Sequence, residues 1–532
     1  MAKNRTKKSK DTYKVINKGF SEAGASADKK VFKRWNANSG SANEDIHYNL
    51  QRLRERSRSL CMKGGLALSA LKTNRTNVIG CGLIYKSKID KELLGLSDEE
   101  AIKWQKNAER EFAIWAENKR NCDAVGMNDF YKIQQLVFFS SEQSGDCGTL
   151  IQRDEESVNS MNPYSLKLNV IEADRISTPN SVTNGLFSIT DGYDKKTKHR
   201  IYDGVEVDDV GKVVAYHICN KHKNEFNGET AKWIRVDAYG KETGLPNVIH
   251  TVADIDRPGQ YRGLPILAAS IEALKQVERY TNAELMAALV EALFTAFIRT
   301  ESPDDDMPMT DVTTDEAEGK PLDDTEYAMG SGTVLKLQPG EDVTFGDPKR
   351  PSGGFTAFVE MAANLIGSSM EIPKELLLKE FKASYSASRA ALLEFWKAVK
   401  MKREWFVSDF CRPILEIWMY EAVARGRLIA PGFFNDPLIR QAWLGADFVG
   451  PSQGMLDPTK EITAEQMMCE NGFSSRSDSA IRLNGSEFYK NVDSLKSENE
   501  ALKDAPAIED IPVSNYLKLS YIKNSAGGST SE

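Results

Sequence analysis

Arg257-Pro258-Gly259-Gln260-Tyr261-Arg262-Gly263-Leu264-Pro265 is a turn of residues that either restrict or free the backbone, and it opens onto an uninterrupted helical pattern. Proline fixes φ and glycine admits backbone angles other residues avoid, so the segment reads as a rigid entry into a long helix. From Ile266 to Arg299 there is neither Gly nor Pro, and Ala, Leu, Glu and Met dominate. These residues lose least on entering a helix. The pattern predicts one helix over Ile266–Arg299, roughly 50 Å long at 1.5 Å per residue. Leu267, Ile271, Leu274 and Val277 share a stripe, with Glu272, Lys275, Glu278 and Arg279 away from it. Leu285 to Ile298 is apolar nearly all round, with Glu284 and Glu291 as the charged exceptions. Such a helix needs protein packed on several sides. It does not read as a membrane span, because the two glutamates leave only short apolar runs and an acidic segment comes after it where a basic anchor belongs.

The chain has 532 residues, more than one core accommodates, and about three structural units are expected. With 41% hydrophobic and 27% charged residues it has the composition of a soluble protein. A net charge of -8 argues against a surface built throughout to wrap nucleic acid. Cys61, Cys81, Cys122, Cys147, Cys219, Cys411 and Cys469 are scattered and form no C-x-x-C pair. They read as reduced thiols in a cytosolic setting. Met1 to Lys10 is basic but no apolar run comes after it, so no secretory leader is expected.

Residues 1 to 43 hold eleven Lys or Arg against three acids, among Ser, Gly, Ala and Asn, and read as a disordered basic arm. A helix-loop-helix is next, capped by Ser41 or Asn43, carrying Arg52, Arg54, Arg56 and Arg58, and broken at Gly64-Gly65. Ser97, with Glu100 three residues on, caps a helix to about Asn118. Asp129 to Phe139 is a further helix, and residues 149 to 252 form a β-rich module with turns at Asp203-Gly204 and Asp209 to Gly211. His217, His222 and His250 have no ligand spacing and read as structural.

Glu301 to Glu326 holds eleven carboxylates, with Lys320 alone against them and three prolines between. It reads as an exposed lobe. Consecutive carboxylates such as Asp304, Asp305 and Asp306 point in different directions and make a poor metal site. Thr333 to Leu337 reads as a strand and Phe355 to Met370 as a second helix returning beside the first. A loop from Glu371 to Ser386 carries Lys374, Lys379 and Lys382 around Leu376-Leu377-Leu378. Its exit at Ser384 caps a long helix that Pro413 should kink and Gly426 ends. Asp457 opens a shorter helix ending at Asn471-Gly472.

No phosphate-cradling G-x-x-x-x-G-K-[ST] loop, G-x-G-x-x-G, G-x-S-x-G elbow or H-E-x-x-H occurs. Ser144-Gly145-Asp146-Cys147-Gly148 is like a nucleophile turn only superficially. No catalytic residue, metal site or cofactor is expected.

Taken as an ordered set, several segments resemble the portal proteins of tailed bacteriophages, in the lambda-type branch. The carriers are Arg257, Pro258, Gly259, Gln260, Arg262 and Gly263 in the turn, and Tyr385, Ser386 and Arg389 in Ser384-Tyr385-Ser386-Ala387-Ser388-Arg389-Ala390-Ala391. Supporting matches are Ile171 to Ile176, Asp203 to Glu206, Asp457 to Glu461, and Arg52 to Gly82. Ser384 stands where the family pattern would place Asn. The resemblance implies an α+β portal-type subunit: wing (44–265), stem helices (266–300 and 353–372), clip (301–352), tunnel loop (373–387), a long kinked helix with wing return (388–472), a helical crown (473–503) and a flexible tail (504–532). It further implies a homo-oligomeric ring of about twelve subunits at one capsid vertex, around a channel for double-stranded DNA. Implied partners are the terminase large subunit, head-completion or connector proteins, and major capsid and scaffold proteins, without a membrane. The setting is the virion, with assembly in host cytoplasm. Lys374, Lys379 and Lys382 are the candidate channel residues. Two alternatives are a metal-dependent DNA-processing enzyme using segment 301–326 and a structural adaptor that forms no ring.

Overall fold

The computed structural model describes residues 29–503 apart from 36, 38, 181–190, 195, 223, 227, 293–295, 301–340, 346–353, 382–383, 455–456 and 487. Most of the expected arm, nearly all of the 301–352 lobe with Asp304, Asp305, Asp306 and the strand Thr333–Leu337, Lys382, and the tail lie outside the described residues.

The first half begins with α1 (Ala42–Lys63), fixed at its start by Ser41. The Ser41 hydroxyl accepts from the Glu44 amide at 3.3 Å and the Glu44 carboxylate accepts from the Ser41 amide at 3.0 Å. This reciprocal cap satisfies donors that a helix start leaves open. Gly64 at φ 82° ends α1 and leads into α2 (Gly65–Val78). After β1 (Ile84–Ser87) and the single turn α3 (Lys91–Leu94), Ser97 and Glu100 cap α4 (Asp98–Ala116) in the same reciprocal way. A short α5 (Lys119–Cys122) leads to α6 (Phe130–Ser144), where Asp129 accepts from the Lys132 amide at 2.8 Å.

The β-rich module divides into two antiparallel sheets. β2 (Asp146–Arg153) is central, with β3 (Leu166–Glu172) on one edge. β4 (Asp191–Tyr193), β5 (Arg200–Tyr202), β6 (Val205–Val207), β7 (Val213–Cys219) and β8 (Trp233–Asp237) run as a meander in chain order. Asp203 and Gly204, both at positive φ (43° and 87°), make the two-residue link between β5 and β6, the geometry that matches strand twist. β9 (Val248–Val252) then returns to the other edge of β2.

The long helix is shorter than the sequence pattern predicts. A 3-10 turn at Ala268–Ser270 precedes α7 (Ile271–Ala292), 22 residues or about 33 Å. The segment expected to stay helical to Arg299 becomes β10 (Ala296–Thr300), paired antiparallel with β11 (Glu341–Phe345) so that Ile298 faces Val343. Phe297, Ile298 and Thr300 are aromatic or β-branched and suit a ladder once a partner strand is supplied. α8 (Phe355–Ser369) runs back along α7. Ser270 hydrogen-bonds Ser369 at one end of the pair, and Tyr280 meets the rings of Phe355 (5.5 Å) and Phe358 (4.7 Å) at the other.

The loop after α8 is not wholly irregular: it holds the short helix α9 (Lys374–Leu378). Next comes α10 (Tyr385–Phe406), a π-turn at Val407–Cys411, and α11 (Arg412–Ala424). Pro413 has no N–H for the carbonyl four residues back and its ring crowds that carbonyl. The helix widens just before it, the Arg412 amide bonding the Val407 carbonyl five residues back. Gly426 at φ 69° closes the segment. α12 (Pro437–Trp443) and β12 (Ala446–Val449) come next, and β12 pairs with β1, Phe448 opposite Tyr85. α13 (Pro458–Glu470), α14 (Arg476–Asn484) and α15 (Phe488–Lys503) complete the described chain.

The main core joins elements far apart in the sequence. Phe112 of α4 lies 5.6 Å from Phe130 of α6 and 5.0 Å from Trp418 of α11, both edge-on. Such pairs add about 0.5–1.5 kcal/mol beyond the area they bury. Trp115 donates to the Leu166 carbonyl at 2.9 Å, and the buried Glu421 carboxylate accepts from the Ser165 and Leu166 amides at 2.6 and 3.1 Å. α11 is thereby pinned to the start of β3. A smaller core, with Ile171, Ile176, Val205, Val207, Tyr216 and Ile218, fills the space between the two sheets.

Candidate functional site

The Arg257–Pro265 turn is held from three directions. Gly259 has φ 76°, and the amide of Gln260 bonds the Arg257 carbonyl at 3.2 Å. The Gln260 side chain sits inside the turn, accepting from the Asp256 and Arg257 amides at 3.2 and 3.3 Å and donating to the Arg262 carbonyl at 3.0 Å. Arg257 reaches out to Asp45 of α1 at 2.6 Å and to the Gly40 carbonyl at 2.9 Å. Tyr261 stacks on Tyr202 with centroids 5.3 Å apart, and its hydroxyl donates to the Gly211 carbonyl at 2.9 Å.

Arg262 is the centre, fully buried. Its Nε and Nη2 form a fork on Asp146 at 2.7 and 3.0 Å, Nη2 also donates to the Ala173 carbonyl at 2.7 Å, and Nη1 donates to the Ile176 carbonyl at 2.7 Å and to Asp203 at 3.0 Å. Arg54 of α1 adds a second guanidinium on Asp146 at 3.0 Å, and Arg58 pairs with Asp174. Three arginines thus meet Asp146, Asp174 and Asp203 in one charge-balanced node. Burial alone would raise the Asp146 carboxyl, but Arg262 and Arg54 outweigh it and hold the group well below the usual carboxylate range. Burial likewise opposes the charge on Arg262, and Asp146 and Asp203 reverse the balance. The Gly263 amide donates to Asp146 at 3.1 Å. A methyl at Gly263 would fall on the Gly145 carbonyl oxygen, and one at Gly145 on that of Gly263, so neither position has room for a side chain.

Arg257, Gln260, Arg262 and Gly263 of the turn each make a bond that positions it, and four of the quoted segments (52–82, 171–176, 203–206 and 257–265) meet at the Arg262 node. Sequence reasoning missed Asp146, read there only as part of a turn. Arg54, one of the arginines marked on the first helix, is buried in this node. Nearby, Glu206 is buried and bonded by Arg235 at 2.7 and 3.1 Å, His217 at 3.0 Å and His199 at 2.9 Å. Burial pushes its carboxyl up, and the hydrogen bonds from His217, Arg235 and His199 override this, holding it well below its ordinary value.

The second group of predicted residues lies after α8. Leu377 is buried and anchors α9, with Lys374 half-buried and Lys379, in the left-handed region at φ 56°, exposed at its end. Phe381 is 58% exposed beside them. Ser384 occupies the cap position of α10, but its side chain makes no capping bond, its hydroxyl instead lying 3.3 Å from that of Ser386, which is exposed. The side chain of Tyr385 lies outside the described residues. Arg389 lines a cleft shared with Trp396, Arg403, Arg412 and Arg482. The structure does not bring Lys374 or Lys379 together with the Arg262 node. No helix among the described residues is long and apolar enough to cross a membrane.

A family model described as "Phage portal protein, lambda family" matches residues 28–403. The chain belongs to that family. Among its relatives, "Portal protein B" of Escherichia phage lambda is 21% identical over 454 residues, 83% of this chain and 82% of that protein. "Probable portal protein" of Halomonas phage phiHAP-1 is 26% identical over 427 residues, covering 78% and 75%. In three dimensions the chain is similar to a chain of the "Neck of native GTA particle computed with C12 symmetry", at 15% identity, 81% and 94% coverage and a TM-score of 0.39. The portal family is structural, and the matched span contains the turn, the Arg262 node, both helices of the α7–α8 pair and the loop lysines.

Proposed function

We propose that this portal protein assembles head to tail into a closed ring of about twelve copies, forming the conduit through which a phage genome enters and leaves the capsid. One observation carries the ring: among the described residues, the α7–α8 pair leaves an apolar surface with nothing of its own chain over it. Leu285, Met286, Met361 and Leu365 are 59%, 60%, 53% and 63% exposed. Large apolar side chains exposed along a helix pair suit a contact surface, and a heterologous contact that closes by rotation generates a ring. In this reading α7 and α8 are the stem, the 301–352 lobe is the clip that meets the terminase large subunit and later the head-completion proteins, and residues 44–265 are the wing that faces capsid and scaffold proteins. Lys374, Lys379 and Lys382 line the channel, repeated by symmetry, and touch phosphate without reading bases. The Arg262 node fixes the wing to the foot of the stem. The test is end-on imaging of the purified full-length chain by electron microscopy. Rings with a central hole are expected, and compact particles without one would overturn the reading.

A further inference from the structure

Beside the turn lies a cleft of about 410 Å³ that the ring reading does not use, bounded by α6, the 251–256 segment, the end of α8 and the end of α10. Five carboxylates line it, Glu142, Asp254, Asp256, Glu371 and Asp409, against Lys402 as its one basic side chain among the described residues. The Lys402 ammonium is engaged at one rim, 3.4 Å from the Met370 carbonyl and 3.7 Å from Glu371. Glu142 is 3% exposed; one carboxylate oxygen accepts from Asn74 at 2.8 Å and the other, equally buried, has no hydrogen-bond partner among the described residues. A buried acceptor without a donor is destabilising, more so when charged, so this oxygen marks a place shaped for a donor. Phe138, Met401, Trp405 and Phe406 supply the apolar wall. Among the described residues, no three potential metal-ligating side chains converge. The negative charge is thus distributed along a partly apolar cleft, which suits a cation with a hydrocarbon stem better than a compact metal ion.

We propose that this cleft binds a linear alkylammonium ion, its ammonium groups on Glu142 and the rim carboxylates and its methylenes along Trp405 and Met401. The same chemistry comes from a free polyamine or from a lysine of a second copy of this chain. Burial pushes Glu142 up to about 7, against the pull of Lys402 and Asn74, and also raises Asp254 and Asp409. A bound ammonium favours the ionised forms, so binding strengthens from pH 6 to pH 8.

The test is calorimetric titration of the full-length protein with spermidine at fixed ionic strength, beside hexaamminecobalt(III), which has the same charge and no methylenes. Spermidine should bind at least tenfold more tightly than the cobalt ion. Glu142→Gln and, separately, Asp254→Asn with Asp409→Asn should each weaken it at least tenfold, while Glu498→Gln, on α15, should not. Equal binding of the two cations, or no effect of either cleft variant, would overturn the proposal. Binding to rings and to single copies alike identifies a free amine as the ligand. Binding to single copies alone identifies a neighbouring lysine already in place. Because single copies are titrated directly, the result is readable even if no ring forms.

Discussion

At the scale of single residues, the decisive feature is one aspartate held by two guanidiniums. Breaking a buried ion pair by removing one partner destabilises by about 3–5 kcal/mol, because the remaining charge stays buried without its counterpart. Arg262→Met should therefore lower the urea midpoint by an amount equivalent to about 3–5 kcal/mol. Asp146→Asn should do the same, leaving Arg54 and Arg262 facing each other. A shift under about 1 kcal/mol would show that the node is not what holds the turn. Glu206 gives a pH-dependent signature. Its folded-state carboxyl lies below the ordinary value, so the unfolded chain takes up the proton first as pH falls. Its contribution is fully present above the usual carboxylate range and lost as pH drops through the folded value. Glu206→Gln should remove that part of the acid-side loss of stability, seen in unfolding curves collected between pH 7 and pH 3. Glu142 works in the opposite direction. With its carboxyl raised to about 7, it erodes stability as pH climbs from the unfolded value toward 7, and Glu142→Gln should flatten that decline.

At the scale of elements, local signals were readable and distant ones were not. Ser97 with Glu100 announces a helix within three residues of its start, and of Ser41 and Asn43, both open as caps of the first helix, Ser41 is the one that caps it. The antiparallel return of Phe355 to Ser369 beside the first helix was also legible from the break before it. The end of α7 was not. Whether Ala296 to Thr300 is helix or strand is decided by Glu341 to Phe345, more than forty residues away, and no local propensity contains that partner. The Arg262 node was illegible for the same reason, since Arg54 and Arg262 lie 92 and 116 residues from Asp146. The sequence marked the arginines and glycines of the turn but not the carboxylate they serve. The α7–α8 surface gives the element-scale prediction. Leu285→Asp combined with Leu365→Asp places charge on two already exposed positions, so helix content and thermal midpoint should change little. Assembly should be lost, seen as a fall in native mass. Unchanged assembly would move the subunit contact elsewhere on the molecule.

At the scale of the whole molecule, the core ties distant parts of the chain into one body. α11 closes onto α4 and α6 through Phe112, Phe130 and Trp418, so elements far apart in sequence share one interior. Lys374 and Lys379 sit at the two ends of α9, which packs on α2 and α8 through the buried Leu377. In the conduit reading these lysines, with Lys382, guide DNA. Replacing all three by Ala should leave assembly intact and lower the fraction of particles that retain packaged DNA. Unchanged retention would assign the lysines to solubility alone. The central claim, that copies pack side by side through the stem, is tested most directly by the native mass of the purified full-length chain in light scattering. From 59.3 kDa per chain, a closed ring of about twelve gives roughly 700 kDa. A single species near the mass of one chain, under conditions that support assembly, would contradict it.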